Sequence, residues 1–464
     1  MKRKIVEYGL LALLIGSPLP AASVEAWSVL VIELVVALMA AAYILLDDKP
    51  ATNPHLAAVL RPLRFFAAGF FGFVALQIVP LPAGIVRLVS PGSYEFQKLY
   101  SPVFGRMKFM SLSIAPSATL REGLMLATCF LFGFLVLKTV SRGRQIRTLI
   151  LALVGSGVFQ ALYGLFELSR DEPRILFYRK MFSPESVTGT FVNRSHLSGY
   201  LEMIIPLAVG LAIARMNLLT FGVKGFREKI LLWTSKGVLS NVLVLAAVVV
   251  MALGVVFSNS RSGLVVLLFT VFLFLGFSVM DYSRTGYRRL WVGKTVRTTF
   301  LVATALAVWI GVGSTIQRFA LDDLLREDRP LYWANTAGIV ADFPLFGTGL
   351  GTFASAYTAY EKRGGSEMQL VHAHNDYLEY VAELGLAGAA LLLGGVLYLA
   401  VRAFLAWRKR RNAEARGLAL GGIVSLAGIG VHTFTDFNLH IPANMVLFTV
   451  ILCLTLVMAY YRKR

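Results

Sequence analysis

Apolar runs of about twenty residues recur from one end of the chain to the other, separated by short polar stretches. Examples are "AWSVLVIELVVALMAAAYILL" (26–46) and "VLSNVLVLAAVVVMALGVVF" (238–257). Neither alternates with a period of two, as a membrane β-strand would. Each is long enough to cross ~30 Å of hydrocarbon as a helix. About twelve such spans are predicted, near 5–22, 26–46, 65–88, 120–138, 148–168, 196–214, 238–257, 262–280, 299–316, 378–401, 417–435 and 441–460. The fold class is therefore an all-α polytopic membrane protein, organised as one integral membrane domain over residues 1–464.

Composition agrees: 57% of the 464 residues are hydrophobic and 15% charged, too few charges for a soluble protein of this length. The formal net charge of +19 raises the question of nucleic-acid binding. Its distribution answers it. The inter-span segments 1–4, 47–64, 138–147, 215–237, 281–298, 402–416 and 461–464 hold 29 of the 45 lysines and arginines and only five acids. That is a topology signal, not a basic face for nucleic acid, and it puts both termini in the cytoplasm. "RKRRNAEAR" (408–416) reads as one such anchor. Cys129 and Cys453 both fall in apolar spans, as small buried hydrophobes rather than a disulfide pair. The first residues, "MKRKIVEYGLLALLIGSPLPAAS", fit either a secretory signal or a retained first span.

The bulk of the polar chain falls on the opposite, outer side. Residues 317–377 form an excursion of about 60 residues, too long for a bare loop and so expected to be partly helical and packed on the bundle. Within it "RPLYWANTAGIVADF" (329–343) predicts a short amphipathic helix with Pro330 in its first turn. "FPLFGTGLGTF" then breaks it. Gly347, Gly349 and Gly351 lack the βαβ setting of a dinucleotide site and read as backbone turns.

Three outer stretches carry the candidate chemistry: "GTFVNRSHLSGYLEMIIP" with Arg194, "FSNSRSG" with Arg261, and "VHAHNDYLEYVAELGLAG" (371–388) with His372 and His374. An arginine at the membrane boundary either snorkels to headgroups or clamps an anion through its planar fork, and two on one leaflet suit a diphosphate. His372, His374 and Asp376 imitate a zinc motif, but helical spacing would point them to different faces. A general base is the better reading, with Asp376 or Glu379 to orient the imidazole. Glu33 and Glu202 are intramembrane acids suited to proton relay or ion pairing. His432 and Asp436 are held as supporting groups facing the same cavity.

At these residues the chain resembles the O-antigen ligase family, with its relatives the O-antigen polymerases and O-linked protein oligosaccharyltransferases. His374-Asn375, nine residues (Asp376 to Leu384), then Gly385, two residues and Gly388 match the family's signature. "GTFVNRSHLSGYL", "SNSRSG" and "DFPLFGTGLGTF" resemble it too, over roughly 60–450. The resemblance implies a fold related to the C-type glycosyltransferases (GT-C) in a bacterial inner membrane, with a periplasmic site and neither metal nor cofactor. It implies His374 as the catalytic base and Arg194 and Arg261 as the donor-diphosphate clamp. Supporting candidates are Asn375, Asp376, Glu379, His372, Asn193, Arg329 and Trp333; His372 lies outside the signature. The implied partners are a glycan on undecaprenyl diphosphate, a lipid A–core or other glycan acceptor, and the membrane lipids. The expected reaction is inverting, metal-independent en bloc transfer to a sugar hydroxyl. The alternative is an O-antigen or exopolysaccharide polymerase with the same donor. A twelve-span transporter fits less well, because the charges cluster at one face and the halves look unrelated.

Overall fold

The computed structural model describes residues 2–45, 54–102, 104–219, 235–285, 298–299, 301–302, 305, 328–361 and 369–460. It is an all-α polytopic bundle. Among the described residues nine helices are long and apolar enough to cross a membrane. The long helices are α2 (Ala26–Leu45), α3 (Pro54–Ile78), α6 (Pro116–Thr139), α7 (Gly143–Leu168), α8 (Arg194–Leu219), α9 (Lys236–Phe257), α10 (Arg261–Thr285), α13 (Asp376–Arg408), α14 (Ala413–His432) and α15 (Pro442–Tyr460). In α10 the apolar part is shorter, Arg261–Phe277. The shorter helices are α1 (Lys2–Gly16), α4 (Ala83–Val89), α5 (Pro91–Tyr100), α11 (Arg329–Asp342) and α12 (Phe353–Tyr357). The ninth predicted span, 299–316, falls almost wholly outside the described residues, as do 317–327 and 362–368.

Two predicted spans are corrected. The third was placed at 65–88; the helix instead runs from Pro54 to Ile78 and tolerates Pro62 inside it. Pro80 and Pro82 end it, because the residue before a proline avoids the helical region. The apolar residues beyond form a two-residue strand, Leu81–Pro82, paired antiparallel with Phe109–Met110, and then α4. The first span, predicted at 5–22, is a helix of 15 residues ending at Gly16, ahead of the turn that contains Pro18 and Pro20.

The centre of the bundle is α8, whose side chains from Leu197 to Ala214 are almost all buried. It packs backbone to backbone on α14. A methyl group on Gly210 would stand 2.7 Å from the Gly417 carbonyl, and one on Gly421 2.6 Å from that of Pro206. Small residues at such crossings let helices approach where apolar surfaces alone gain little from association. The antiparallel crossing brings the start of α8 and the end of α14 to the same end of the bundle. There Glu202 meets His432 at 2.7 Å. The opposite end carries the basic turns 138–147 and 402–416, joined by an Arg147–Glu414 ion pair between α7 and α14.

The excursion before α13 packs onto the bundle. Its helix, predicted at 329–343, spans Arg329–Asp342. Ile339 and Phe343 join Phe353, Tyr357, Ala373 and Ala382 in a separate apolar cluster. The glycine-rich stretch after it docks into a break in α13. At Gly385 the backbone takes φ 61° and ψ −178°, a region that essentially only glycine occupies. The amides of Thr348 and Gly349 donate to the carbonyls of Ala382 and Glu383 at 3.0 and 2.9 Å, and Leu386 donates to Pro344 at 2.9 Å. The Glu383 carboxylate accepts from the amides of Gly351 and Phe353 at 2.8 and 2.9 Å. The first glycine of the signature thus lets a loop replace helical hydrogen bonds. The second, Gly388, lies where a methyl group would stand 2.5 Å from the Phe73 ring of α3.

Candidate active site

The serine-rich turn between α9 and α10 is tied at alternate positions. Ser258 shares a 2.7 Å hydrogen bond with Ser198 of α8, Ser260 donates to Ser195 at 3.2 Å, and Ser262 shares one of 2.7 Å with Thr435. The turn closes through Asn259 at φ 56°, a left-handed conformation that asparagine adopts more readily than most residues. Arg261 is therefore flanked by one residue bonded to α8 and one bonded to the loop after α14. Arg194 is the first residue of α8, next to Ser195. Asn193 closes the start of that helix by accepting from the Ser195 amide at 2.8 Å. The Arg194 guanidinium meets Glu185 at 3.2 Å and Ser186 Oγ at 3.3 Å.

His374 stands just before α13, whose first turn Asn375 caps by accepting from the Leu378 amide at 3.1 Å. His374 is held at φ 51°, an uncommon conformation for a residue with a side chain. The neighbours impose it. Ala373 is fully buried; its amide donates to Glu379 at 2.8 Å, and its carbonyl accepts from the Trp333 indole at 3.1 Å. Asp376 N donates to the Thr433 carbonyl at 2.9 Å. Arg329, at the start of α11, lies within electrostatic range of His432.

The carboxylates are distributed differently from the expectation that Asp376 or Glu379 would orient His374. Glu379 takes His372, at 2.7 Å from its Nδ1, and Asp376 takes His440, at 2.5 Å. The group on His374 Nδ1 is Asp436, at 3.2 Å, which also lies 3.6 Å from Nε2 of His196. Burial disfavours the charged Asp436 carboxyl, but the adjoining His196 and His374 imidazoles, the latter within hydrogen-bond distance, outweigh it and hold it well below the usual range. His440 is also buried; there Glu379 and Asp376 outweigh the burial and hold it up at about 10. His372, His374 and Asp376 go to three different partners, so they do not converge as one ligand set.

Five of the six histidines gather at this end of the bundle: His196, His372, His374, His432 and His440. Phe437 is a common wall for three of them, with ring centroids 4.4, 4.2 and 4.8 Å from those of His196, His372 and His374. His196, Phe437 and His440 went unread in the sequence. The signal for Phe437 and His440 is the segment "TDFNLH" (435–440), where an acid and one of six histidines precede an apolar run by a few residues; His196 stands two residues after Arg194 in "VNRSHLSG".

Fold and site together define a polytopic membrane protein with a buried histidine–carboxylate network at one end, bordered by two arginine-bearing helix starts. Residues 246–393 match the family model described as O-Antigen ligase, so the resemblance to that family holds over this segment, which contains "SNSRSG", "DFPLFGTGLGTF" and the His374 signature. The chain is also 25% identical over 348 residues to the exopolysaccharide production protein ExoQ of Rhizobium meliloti (strain 1021), covering 72% of this chain and 70% of that protein. These similarities support an O-antigen ligase- or polymerase-like function, that of a glycosyltransferase-like membrane enzyme. The matched segment includes Arg261 and His374; Arg194, His196, Asp436 and His440 lie outside it.

Proposed function

We propose that the protein transfers a glycan en bloc from undecaprenyl diphosphate to an acceptor sugar hydroxyl, with lipid A–core as the acceptor of the ligase reaction. One observation carries the reading. Hydrogen bonds between Ser195 and Ser260 and between Ser262 and Thr435 join both arginine-bearing turns to the turn whose Asp436 meets His374. In this reading His374 Nδ1–H donates to Asp436, which leaves Nε2 to accept the hydroxyl proton. The oxygen attacks the anomeric carbon as its bond to the diphosphate oxygen breaks. The diphosphate leaves with the electron pair, and the anomeric centre inverts. Arg194 and Arg261 stabilise the growing negative charge, a task suited to preorganised cations in a site with little water. The described basic turns, 138–147 and 402–416, lie at the other end of the bundle, which supports a periplasmic site with both termini in the cytoplasm.

A second reading is favoured by the similarity to an exopolysaccharide production protein: the acceptor is another repeat unit and the product a longer polymer. Donor chemistry and residues are the same. Gene deletion followed by glycan analysis separates the two. Loss of a ligase leaves polymer on the carrier lipid and bare core; loss of a polymerase leaves single repeat units. Unchanged surface and lipid-linked glycans would overturn both.

A further inference from the structure

The histidine–carboxylate network contains a donor set that the proposed transfer does not use. His440 ends the short turn Asn438–His440 between α14 and α15. Its Nδ1 is engaged by Asp376 at 2.5 Å, which leaves Nε2 as the nitrogen that can coordinate a metal once its proton is displaced. The His440 side chain is only 4% exposed, yet Nε2 has no hydrogen-bond partner. It points at Glu379 Oε1 from 3.6 Å, too far to hydrogen-bond. Glu379 commits its other oxygen to the Ala373 amide at 2.8 Å, so Oε1 is shared between His440 and His372. The ligating atoms of His372, Glu379 and His440 all lie within 4.8 Å of one another.

We infer that His372, Glu379 and His440 form a binding site for one divalent transition-metal ion of the zinc type. Two imidazoles and one carboxylate suit a borderline cation, and three protein ligands leave a fourth position for water. Asp376 behind His440 completes the carboxylate–histidine–metal arrangement that fixes the tautomer and ring of a ligating histidine. The rings are held in place: Tyr380 stacks on His440 at 4.4 Å and Phe437 on His372 at 4.2 Å. Ligands ~2.0–2.1 Å from zinc stand roughly 3.3 Å apart in a tetrahedron. The 3.6 Å gap from His440 to Glu379 is close to that, and the 2.7 Å gap from His372 must open by roughly 0.6 Å. His372 can give way, because its side chain is 24% exposed, and that side is also the path of entry.

The ion joins three separate pieces of chain: the segment before α13, the first turn of α13, and the 438–440 turn. Its place is structural. It fixes Ala373 and so the unusual backbone of His374, without touching the bond that reacts. The inference is independent of the glycan-transfer reading. It competes with a simpler state in which a proton on His440 sits between Asp376 and Glu379.

The test is metal binding by tag-free, full-length protein in detergent, stripped with a chelator and dialysed against Zn²⁺ or Co²⁺. About one zinc per chain is expected by elemental analysis, and intense visible bands of four-coordinate Co²⁺. His372→Ala should weaken binding at least tenfold; Asp376→Asn, which removes only the group behind His440, should weaken it by roughly 10–100-fold. His55→Gln, on α3, should bind like the parent. Substoichiometric zinc in the parent, octahedral Co²⁺ bands, or undiminished binding in His372→Ala would each overturn the site. Because the first two readouts use the unaltered protein, a variant that fails to fold does not blunt the test.

Discussion

Asp436 Oδ1 stands 3.2 Å from Nδ1 of His374, across 62 residues of sequence. The same oxygen lies 3.6 Å from His196, so a single carboxylate faces two imidazoles contributed by two other parts of the chain. Asp436→Asn keeps the shape and removes the charge that selects the Nδ1–H tautomer. Glycan transfer from a polyprenyl-diphosphate donor should fall by roughly 10²–10⁴-fold, the range set by losing an aligned general base. Donor binding should change little, while the unfolding temperature in detergent falls, because the fold favours the charged carboxylate that the amide replaces. Transfer at the parental rate would remove Asp436 from the mechanism.

His374→Ala should abolish transfer while the protein still inserts and packs. The side chain is 23% exposed and its ring leans on Phe437 rather than filling the core. Parental activity in this variant would refute the base assignment.

The legible part of this protein was what proximity along the chain records. Apolar runs marked most spans because a membrane helix must be long and continuous. The helix at 329–342 followed from its amphipathic pattern and early proline. The third span was misplaced because hydropathy continues through Leu81–Val89 while Pro80 and Pro82 have already ended the helix. In the site, the motif marks His374, and Asp436 is legible only as a supporting group near the same cavity, not as the carboxylate on His374. Asp376 and Glu379 are neighbours in sequence, and the helix turns both away toward His440 and His372. Which acid meets which imidazole is decided by how α14 and α15 pack on α13, and one-dimensional spacing carries no record of that.

Arg261→Lys separates charge from geometry. Lysine keeps the positive charge but loses the planar fork that grips two phosphate oxygens. The turn itself should survive, since its ties run through Ser258, Ser260 and Ser262. Transfer should drop by roughly 10–10³-fold, with a folded protein and a weaker response to added polyprenyl diphosphate as product inhibitor. Arg194→Lys should behave alike. Inhibition unchanged in both variants would take the diphosphate away from these arginines.

Gly385 tests the loop-in-helix junction. Any side chain must adopt φ 61°, ψ −178°, a conformation costing on the order of 1–3 kcal/mol. Its Cβ would also lie 2.3 Å from the Leu345 carbonyl oxygen, backbone that cannot step aside without undoing the Pro344–Leu386 hydrogen bond. Gly385→Ala should therefore lower the unfolding temperature sharply and reduce yield. Gly388→Ala should be milder, because its nearest obstacle is the edge of the Phe73 ring, a side chain able to move. Equal, small effects in both would mean that the junction is not built as described.

Lys180 makes stability depend on pH in an identifiable direction. Its ammonium donates to the Ser186 carbonyl in a buried position. Burial pushes its pKa down from 10.5 to about 8; Glu185 acts against the fall and Arg194 adds to it. The folded state thus gives up this proton near pH 8, while the unfolded chain keeps it until about 10.5. Between those values the unfolded state binds more protons, so this group makes folding more favourable as pH rises. Below pH 8 its full penalty is present. Lys180→Met removes both the ammonium and its hydrogen bond, so the variant's difference from the parent at one pH mixes the two. The change of that difference with pH isolates the charge: the variant should lose ground to the parent steadily from pH 8 toward 10.5. Thermal unfolding of both proteins in one detergent across that range reads it directly, and a constant difference would show that Lys180 titrates in the folded protein as it does in water.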